Sequence, residues 1–310
     1  MTSPPIAALV GPTASGKSQL AMALAARQPV EILVADSRQV YRGMDIGTAK
    51  PSAADRAAVP HHLLDLADPD QPFTLADWLA AARAMVPEVA ERGRLPLVVG
   101  GTGLYLNALV DGYDLAGQPW SPETRRRLVQ EMEAEGLAPL AERLRRRSPQ
   151  TAAGIDLRNP RRVLRALERL EVEGGGAWSV AADPWPARVA IIGIHRPREV
   201  LYRRIEARTQ ALFAGGLLDE VRTLLDRGFG AELPPMTGHG YREAMRVLAG
   251  EWSLEHAVEV TARHTRQYAK RQLSWFRREM RIAWVDAGDR PADEDRLLDT
   301  ATDLLRRMLA

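Results

Sequence analysis

The chain is 310 residues long, 45% hydrophobic and 26% charged, with a formal net charge of +2, an ordinary balance for a protein that folds around its own core. It contains no cysteine, which excludes disulfides and cysteine-ligated zinc, and at +2 any nucleic-acid contact must come from local basic patches. No apolar run approaches the ~20 residues of a membrane span and residues 1–5 (Met-Thr-Ser-Pro-Pro) carry no signal-peptide pattern, so a cytoplasmic protein with no membrane role is expected.

The apolar run Ile6-Ala7-Ala8-Leu9-Val10 reads as a buried strand, followed by Gly11-Pro12-Thr13-Ala14-Ser15-Gly16-Lys17-Ser18 and a helix-forming stretch over 19–27. Strand, glycine-rich loop and helix in that order make a phosphate cradle. Gly11 and Gly16 let the backbone wrap an anion, and the N–H groups of the loop through Thr13, Ala14 and Ser15 point at it. Lys17 adds a charge, and Ser18 can hold Mg²⁺. The motif does not say whose phosphate it binds.

Glu31 to Ala35 is a second short buried strand, ending at Asp36-Ser37-Arg38-Gln39. Thr74 and Asp77 form a capping box for a helix running to Glu91, and Leu95 to Val99 is another strand, ending at Gly100-Gly101-Thr102-Gly103. Strands alternating with helices predict a parallel sheet covered on both faces. Ligands collect at the carboxyl ends of such strands, so the loops 11–18, 36–39 and 100–103 are expected to converge on one pocket.

Between Gly117-Gln118-Pro119-Trp120 and Asp183-Pro184-Trp185-Pro186 the strand signals vanish, and arginine-, glutamate- and leucine-rich helix takes over, with the glycine triplet 174–176 near its end. An inserted all-helical subdomain over 119–186 is expected, the core being 1–118 and 187–310. The core resumes with a strand over 187–194 and helices near 198–214, 216–227 and 240–249. A longer helix from Ser253 carries Arg263, Arg266, Lys270, Ser274, Arg277 and Arg281 on one face, with Tyr268, Trp275 and Phe276 interleaved. Such a stripe is either a solvated charge face or a nucleic-acid backbone contact.

Lysine occurs only at Lys17, Lys50 and Lys270, and arginine supplies every other strong base, so these three are either sites that want a compact ammonium or chance survivors. Asp36, at a strand end one helix beyond the phosphate loop, could be a Mg²⁺ ligand, a general base or a helix cap. Neither the 95–101 nor the 187–194 strand end carries a second acid, which counts against the two alternatives, phosphoryl transfer from ATP by a small-molecule or nucleoside kinase and hydrolysis by an RNA-binding ATPase. His61 and His62 are adjacent, face different directions and read as structural.

Five blocks, Gly-Pro-Thr-Ala-Ser-Gly-Lys-Ser at 11–18, Asp-Ser-Arg-Gln-Val-Tyr at 36–41, Met-Asp-Ile-Gly-Thr-Ala-Lys-Pro at 44–51, Gly-Gly-Thr-Gly-Leu-Tyr at 100–105 and Arg-Gln-Tyr-Ala-Lys-Arg-Gln at 266–272, resemble the bacterial tRNA dimethylallyltransferase family in its own order. The resemblance implies a kinase-like P-loop core and a helical insertion that grips the anticodon stem-loop. It also implies Mg²⁺ and transfer of a dimethylallyl group from dimethylallyl diphosphate to the exocyclic N6 of the adenosine 3′ of the anticodon. It makes Asp36 the base, with Thr102 beside the reacting tRNA and Arg208 beside the diphosphate. RNA contacts carry over to Asp36, Ser37, Arg38, Gln39 and Thr102, and to Arg161, Arg162, Val163, Leu164 and Arg165. They carry over likewise to Gly240, Tyr241, Arg242, Lys270, Arg271, Gln272, Trp275 and Arg277. Before Gly240-Tyr241-Arg242 the chain departs from the family pattern with Thr237-Gly238-His239. No obligate protein partner is expected.

Overall fold

The computed structural model describes residues 3–115, 121–173 and 183–310; the borders expected at 117–120 and 174–176 lie outside the described residues. The chain forms two compact units, residues 1–112 with 183–310, and residues 113–182.

In the first unit the elements are β1 (Ile6–Val10), α1 (Lys17–Ala25), β2 (Val30–Ala35), α2 (Ala53–Ala58), β3 (His61–His62), α3 (Leu75–Glu91), β4 (Leu95–Gly100) and α4 (Gly103–Val110). The second unit holds α5 (Pro122–Glu135), α6 (Leu137–Arg147), α7 (Pro149–Ala153) and α8 (Pro160–Glu173). The first then resumes with β5 (Val189–His195), α9 (Arg198–Ala214), α10 (Leu217–Asp226), α11 (Tyr241–Leu248), α12 (Leu254–Phe276), β6 (Ile282–Asp286) and α13 (Pro291–Leu309).

Among the described residues the sheet has six strands in the order β3-β2-β4-β1-β5-β6, every pair parallel. Ala8 of β1 stands opposite Val98 on one side and Ile191 on the other. All five residues of β1 are buried, because helices cover both faces and the strand can be apolar throughout. Against one face, Leu20, Ala21 and Leu24 of α1 share a core with Leu297, Ala301 and Leu305 of α13. Trp78 of α3, fully buried, donates its indole N–H to Val34 O at 3.0 Å and lies 4.6 Å from the Tyr105 ring.

The capping box of Thr74 and Asp77 starts α3 as the sequence indicates. His61 and His62 form β3, where His61 Nδ1 meets Val59 O at 2.8 Å and His62 Nε2 meets Glu31 Oε2 at 2.6 Å. The unit boundaries fall before those expected. Asp183 N donates to Gly112 O and Trp185 N to Val110 O, both at 2.9 Å, and Trp185 Nε1 reaches Pro4 O at 2.8 Å, so the Asp-Pro-Trp-Pro stretch is tied into the core. The basic stripe also needs correction. The long helix ends at Phe276, and Arg281 lies beyond it, paired with Glu279 and Asp111 at 2.6 and 2.7 Å.

In the helical unit, Leu128, Leu140, Leu144, Val163, Leu167 and Leu170 form a core of their own. Glu168, 1% exposed there, accepts from Ser121 N at 3.3 Å and meets Arg165 at 3.2 Å.

Trp78→Phe removes one buried donor and leaves Val34 O without it. The substitution should cost about 1–3 kcal/mol, read as a lower urea midpoint with an unchanged slope.

Candidate active site

The phosphate loop leaves β1 and enters α1 through left-handed turns. Gly11 has φ 144°, and a Cβ there would stand 2.9 Å from Ile194 O, so no other residue fits without a shift. The loop is held by three arginines and one amide. Arg196, just past β5, donates to Ser15 O at 2.7 Å; Arg204 of α9 donates to Ala14 O at 3.0 Å; Arg208, one turn on, donates to Thr13 Oγ1 at 3.2 Å. Gln272 of α12 accepts from Thr13 N at 2.8 Å and donates to Gly101 O at 2.9 Å, which binds the loop to the end of β4.

The second and third strand ends meet in the same place. Thr102 N donates to Ala35 O at 3.3 Å, and Ser37 N donates to Thr102 Oγ1 at 3.4 Å. Asp36 Oδ1 accepts from Arg38 N at 2.8 Å, which turns the chain sharply away from β2. The Tyr268 hydroxyl of α12 bonds Thr102, and burial pushes its pKa up to about 12, with the Asp36 charge adding to the rise. The expected convergence of the loops 11–18, 36–39 and 100–103 is therefore present.

Lys17 Nζ donates to Gly11 O at 3.0 Å and Pro12 O at 2.8 Å. Burial lowers its pKa to about 7; the Arg208 charge adds to the fall and Asp36 opposes it. Burial likewise holds the Arg208 guanidinium below its ordinary value, again opposed by Asp36. Lys17, Arg208 and Asp36 thus share one electrostatic environment. Arg208 also lines a groove of about 550 Å³ whose apolar wall includes Ile46, Ala49, Pro51, Ala211 and Leu212.

For a metal, Ser18 and Asp36 supply a hydroxyl and a carboxylate, the oxygen donors a hard cation prefers. Among the described residues no cluster of three or more His, Asp or Glu could hold one alone. The donor set fits an ion of the Mg²⁺ type, which takes one or two protein oxygens and completes its shell with phosphate oxygens and water.

Several expected RNA contacts have other placements. Val163 and Leu164, 0% and 3% exposed, face the helical unit's core, because adjacent positions of a helix cannot all share the face that exposes Arg161 and Arg162. Arg165 meets Glu168 there. Gln272 is buried between two loops, and Tyr241, 2% exposed, donates its hydroxyl to Glu220 at 2.6 Å behind the buried Gly240. Arg38 donates to Pro234 O, and Gln39 Nε2 donates to Thr48 O at 3.1 Å. Arg242 meets Glu243 at 2.9 Å. Lys270, Arg271, Trp275 and Arg277 are exposed. Arg196 and Arg204 were not anticipated, and Tyr268, expected only as an aromatic within the basic stripe, instead bonds Thr102. Arg196 had a usable signal in its position just past the carboxyl end of a buried strand.

A family model described as IPP transferase matches residues 39–279, and one described as isopentenyl transferase matches residues 4–65. The tRNA dimethylallyltransferase of Syntrophobacter fumaroxidans is 49% identical over 289 residues, 92% of this chain and 84% of that protein. The chain belongs to the tRNA dimethylallyltransferase family. The family's member from Roseiflexus castenholzii is 45% identical over 304 residues, 98% of each protein. Among solved structures, the tRNA isopentenylpyrophosphate transferase of Bacillus halodurans matches with a TM-score of 0.71 at 38% identity, over 98% of this chain and 97% of that one. Membership of this family of transferases does not favour the kinase alternative. Among the described residues no helix is long and apolar enough to cross a membrane.

Because the folded-state pKa of Lys17 lies below its unfolded value, the buried ammonium costs stability in full below about pH 7. The cost is relieved as pH rises toward the unfolded value. An anion in the loop favours the charged form, so binding takes up a proton above pH 7. Affinity for an alkyl diphosphate, itself fully ionised by about pH 8, should fall about tenfold for the next pH unit. Calorimetry should show the slope in the native chain and its loss in Lys17→Met.

Proposed function

We propose that the chain transfers the dimethylallyl group of dimethylallyl diphosphate to N6 of the adenosine 3′ of the anticodon, releasing diphosphate. The observation that carries this reading is the joining of the phosphate loop to the strand ends of Asp36 and Thr102 by Gln272 and Thr102 Oγ1, with Lys17 and Arg208 both within the field of the Asp36 charge.

The diphosphate lies in the loop, contacted by the N–H groups of Ala14, Gly16 and Lys17, the Lys17 ammonium, Ser18 and Arg208, since Pro12 has no N–H and those of Thr13 and Ser15 are donated to Gln272 Oε1 and Pro12 O; the apolar wall of the groove beside Arg208 suits the hydrocarbon tail. A bound Mg²⁺, held by Ser18 and Asp36, would neutralise part of the leaving group's charge. The adenine nitrogen forms a bond to the allylic carbon as the carbon–oxygen bond breaks, and the electron pair leaves with the diphosphate. Lys17, charged in the anion's presence, stabilises that developing charge. Asp36 accepts the proton that the amine must lose, and Thr102, fixed by Ser37 and Tyr268, contacts the reacting nucleoside. A base does not reach such a site while stacked, and a single-stranded anticodon loop is the cheapest place to extract one.

The tRNA is held by exposed bases, Arg161 and Arg162 on the helical unit and Arg263, Lys270, Arg271 and Arg277 on the core. The deciding assay is tRNA-dependent diphosphate release from dimethylallyl diphosphate, against ADP formation from ATP.

Asp36→Asn should slow single-turnover transfer by about 10²–10⁴ while tRNA affinity stays close to native. Rates near native in that variant would remove Asp36 from the base role, and rescue by added Mg²⁺ would make it chiefly a metal ligand. Affinity for tRNA should also fall steeply with salt. Each of Arg161, Arg162 and Lys270 changed to alanine should lower the log–log slope by somewhat under about one, with donor affinity unchanged.

A further inference from the structure

Three consecutive backbone N–H groups, those of Asp45, Ile46 and Gly47, converge on the carboxylate of Glu220 in α10 at 2.8, 2.6 and 3.0 Å. The Tyr241 hydroxyl donates to the same carboxylate at 2.6 Å. Successive N–H groups pointing one way form a concavity that binds anions, and here a side chain of the protein fills it. Gly47 is needed for the approach, since a Cβ would lie 2.4 Å from the Tyr241 ring.

Lys50 closes the same segment from the other side. Its Nζ donates to Tyr41 O at 2.6 Å and pairs with Asp45 at 2.7 Å and Asp65 at 2.5 Å. Between these two clasps the carbonyls of Thr48 and Ala49 accept from Gln39 Nε2 at 3.1 and 3.3 Å. Gln39 follows Arg38, whose N–H holds Asp36 Oδ1 at 2.8 Å. A continuous set of contacts therefore runs from Glu220 through residues 45–49 and Gln39 to the turn that aims Asp36.

We propose that Glu220 is a positioning residue for proton transfer at Asp36, acting through the 45–49 segment and Gln39. The proposal rests on the reaction read above. A carboxylate is needed there because four donors share two oxygens, and hydrogen bonds to a charged acceptor are about twice as strong as neutral ones. An amide would turn a donor toward two of the four.

The test compares the native chain with Glu220→Gln, Gln39→Ala, their double variant and Tyr241→Phe. It measures dimethylallyl diphosphate affinity, tRNA affinity and single-turnover transfer separately. Glu220→Gln should slow transfer about tenfold with donor affinity within about twofold of native, and the double variant should be no slower than the slower single. Tyr241→Phe removes one of the four donors and keeps the ring on Gly47. It should slow the same step about two- to threefold, and it carries the test if Glu220→Gln does not fold. Transfer within about twofold of native in Glu220→Gln, or in Tyr241→Phe a rate equal to native, overturns the proposal. So do multiplicative losses in the double variant, or a loss that appears equally in donor affinity. A native chain that prenylates no tRNA overturns the reaction itself, an outcome distinct from every variant result.

Discussion

A loop that turns its N–H groups toward an anion turns its carbonyls the other way, and those carbonyls need donors if the loop is to keep its shape. In this chain the requirement is met by Arg196 on Ser15 O and Arg204 on Ala14 O, while Lys17 takes Gly11 O and Pro12 O from within. The arrangement is costly, because the Lys17 ammonium is buried and the Arg208 charge opposes it. It is tenable because Lys17 can give up its proton near neutral pH and regain it when an anion arrives.

The rest of the core follows from holding those donors in place. Arg204 and Arg208 fix the rotation of α9 about its axis, since both must face the loop. Arg196 meets Glu294 at 2.5 Å and Gly288 O, so the segment after β6 and the first turn of α13 are tied to the phosphate loop through one guanidinium. Gln272 performs the same service for α12. A parallel sheet brings its carboxyl ends to one edge, but it does not hold the loops that leave them at fixed separations. Side-chain bridges such as Gln272 and Thr102 do that, and they come from elements distant in sequence.

This division explains what could be read in advance. β1, the phosphate loop, the capping box of α3 and the other central strands are local signals, and a strand buried on both faces is an apolar run that composition reveals. β6 hides because its burial is uneven, with Trp284 37% exposed and Asp286 exposed at its end, and β3 is two residues long. The bracing roles of Arg196 and Arg204 depend on contacts with a loop some 180 residues away in the chain, 181 from Arg196 to Ser15 and 190 from Arg204 to Ala14. The RNA-facing segments were carried over as continuous runs, whereas a helix offers alternate faces. Val163, Leu164, Gln272 and Tyr241 consequently turn inward from segments whose arginines turn outward. Lys17 and Lys50 each direct a compact ammonium at closely spaced acceptors, which a planar guanidinium could not reach together.

Arginine on the helical unit serves two ends that charge alone does not separate. Arg127 and Arg143 meet Glu131 at 2.6 and 2.5 Å, so those bases are balanced within the unit and offer little net attraction to an anion. Arg161 and Arg162 differ. They occupy the first turn of α8, where Asn159 Oδ1 accepts from both backbone N–H groups, and their side chains are exposed with no ion pair among the described residues. Cations at a helix N-terminus oppose the helix dipole and cost about 0.3–1 kcal/mol each, so folding gives no reason for two of them there. The tRNA contact proposed above would supply one, because an RNA phosphate would meet two guanidinium groups and the positive end of the helix at once.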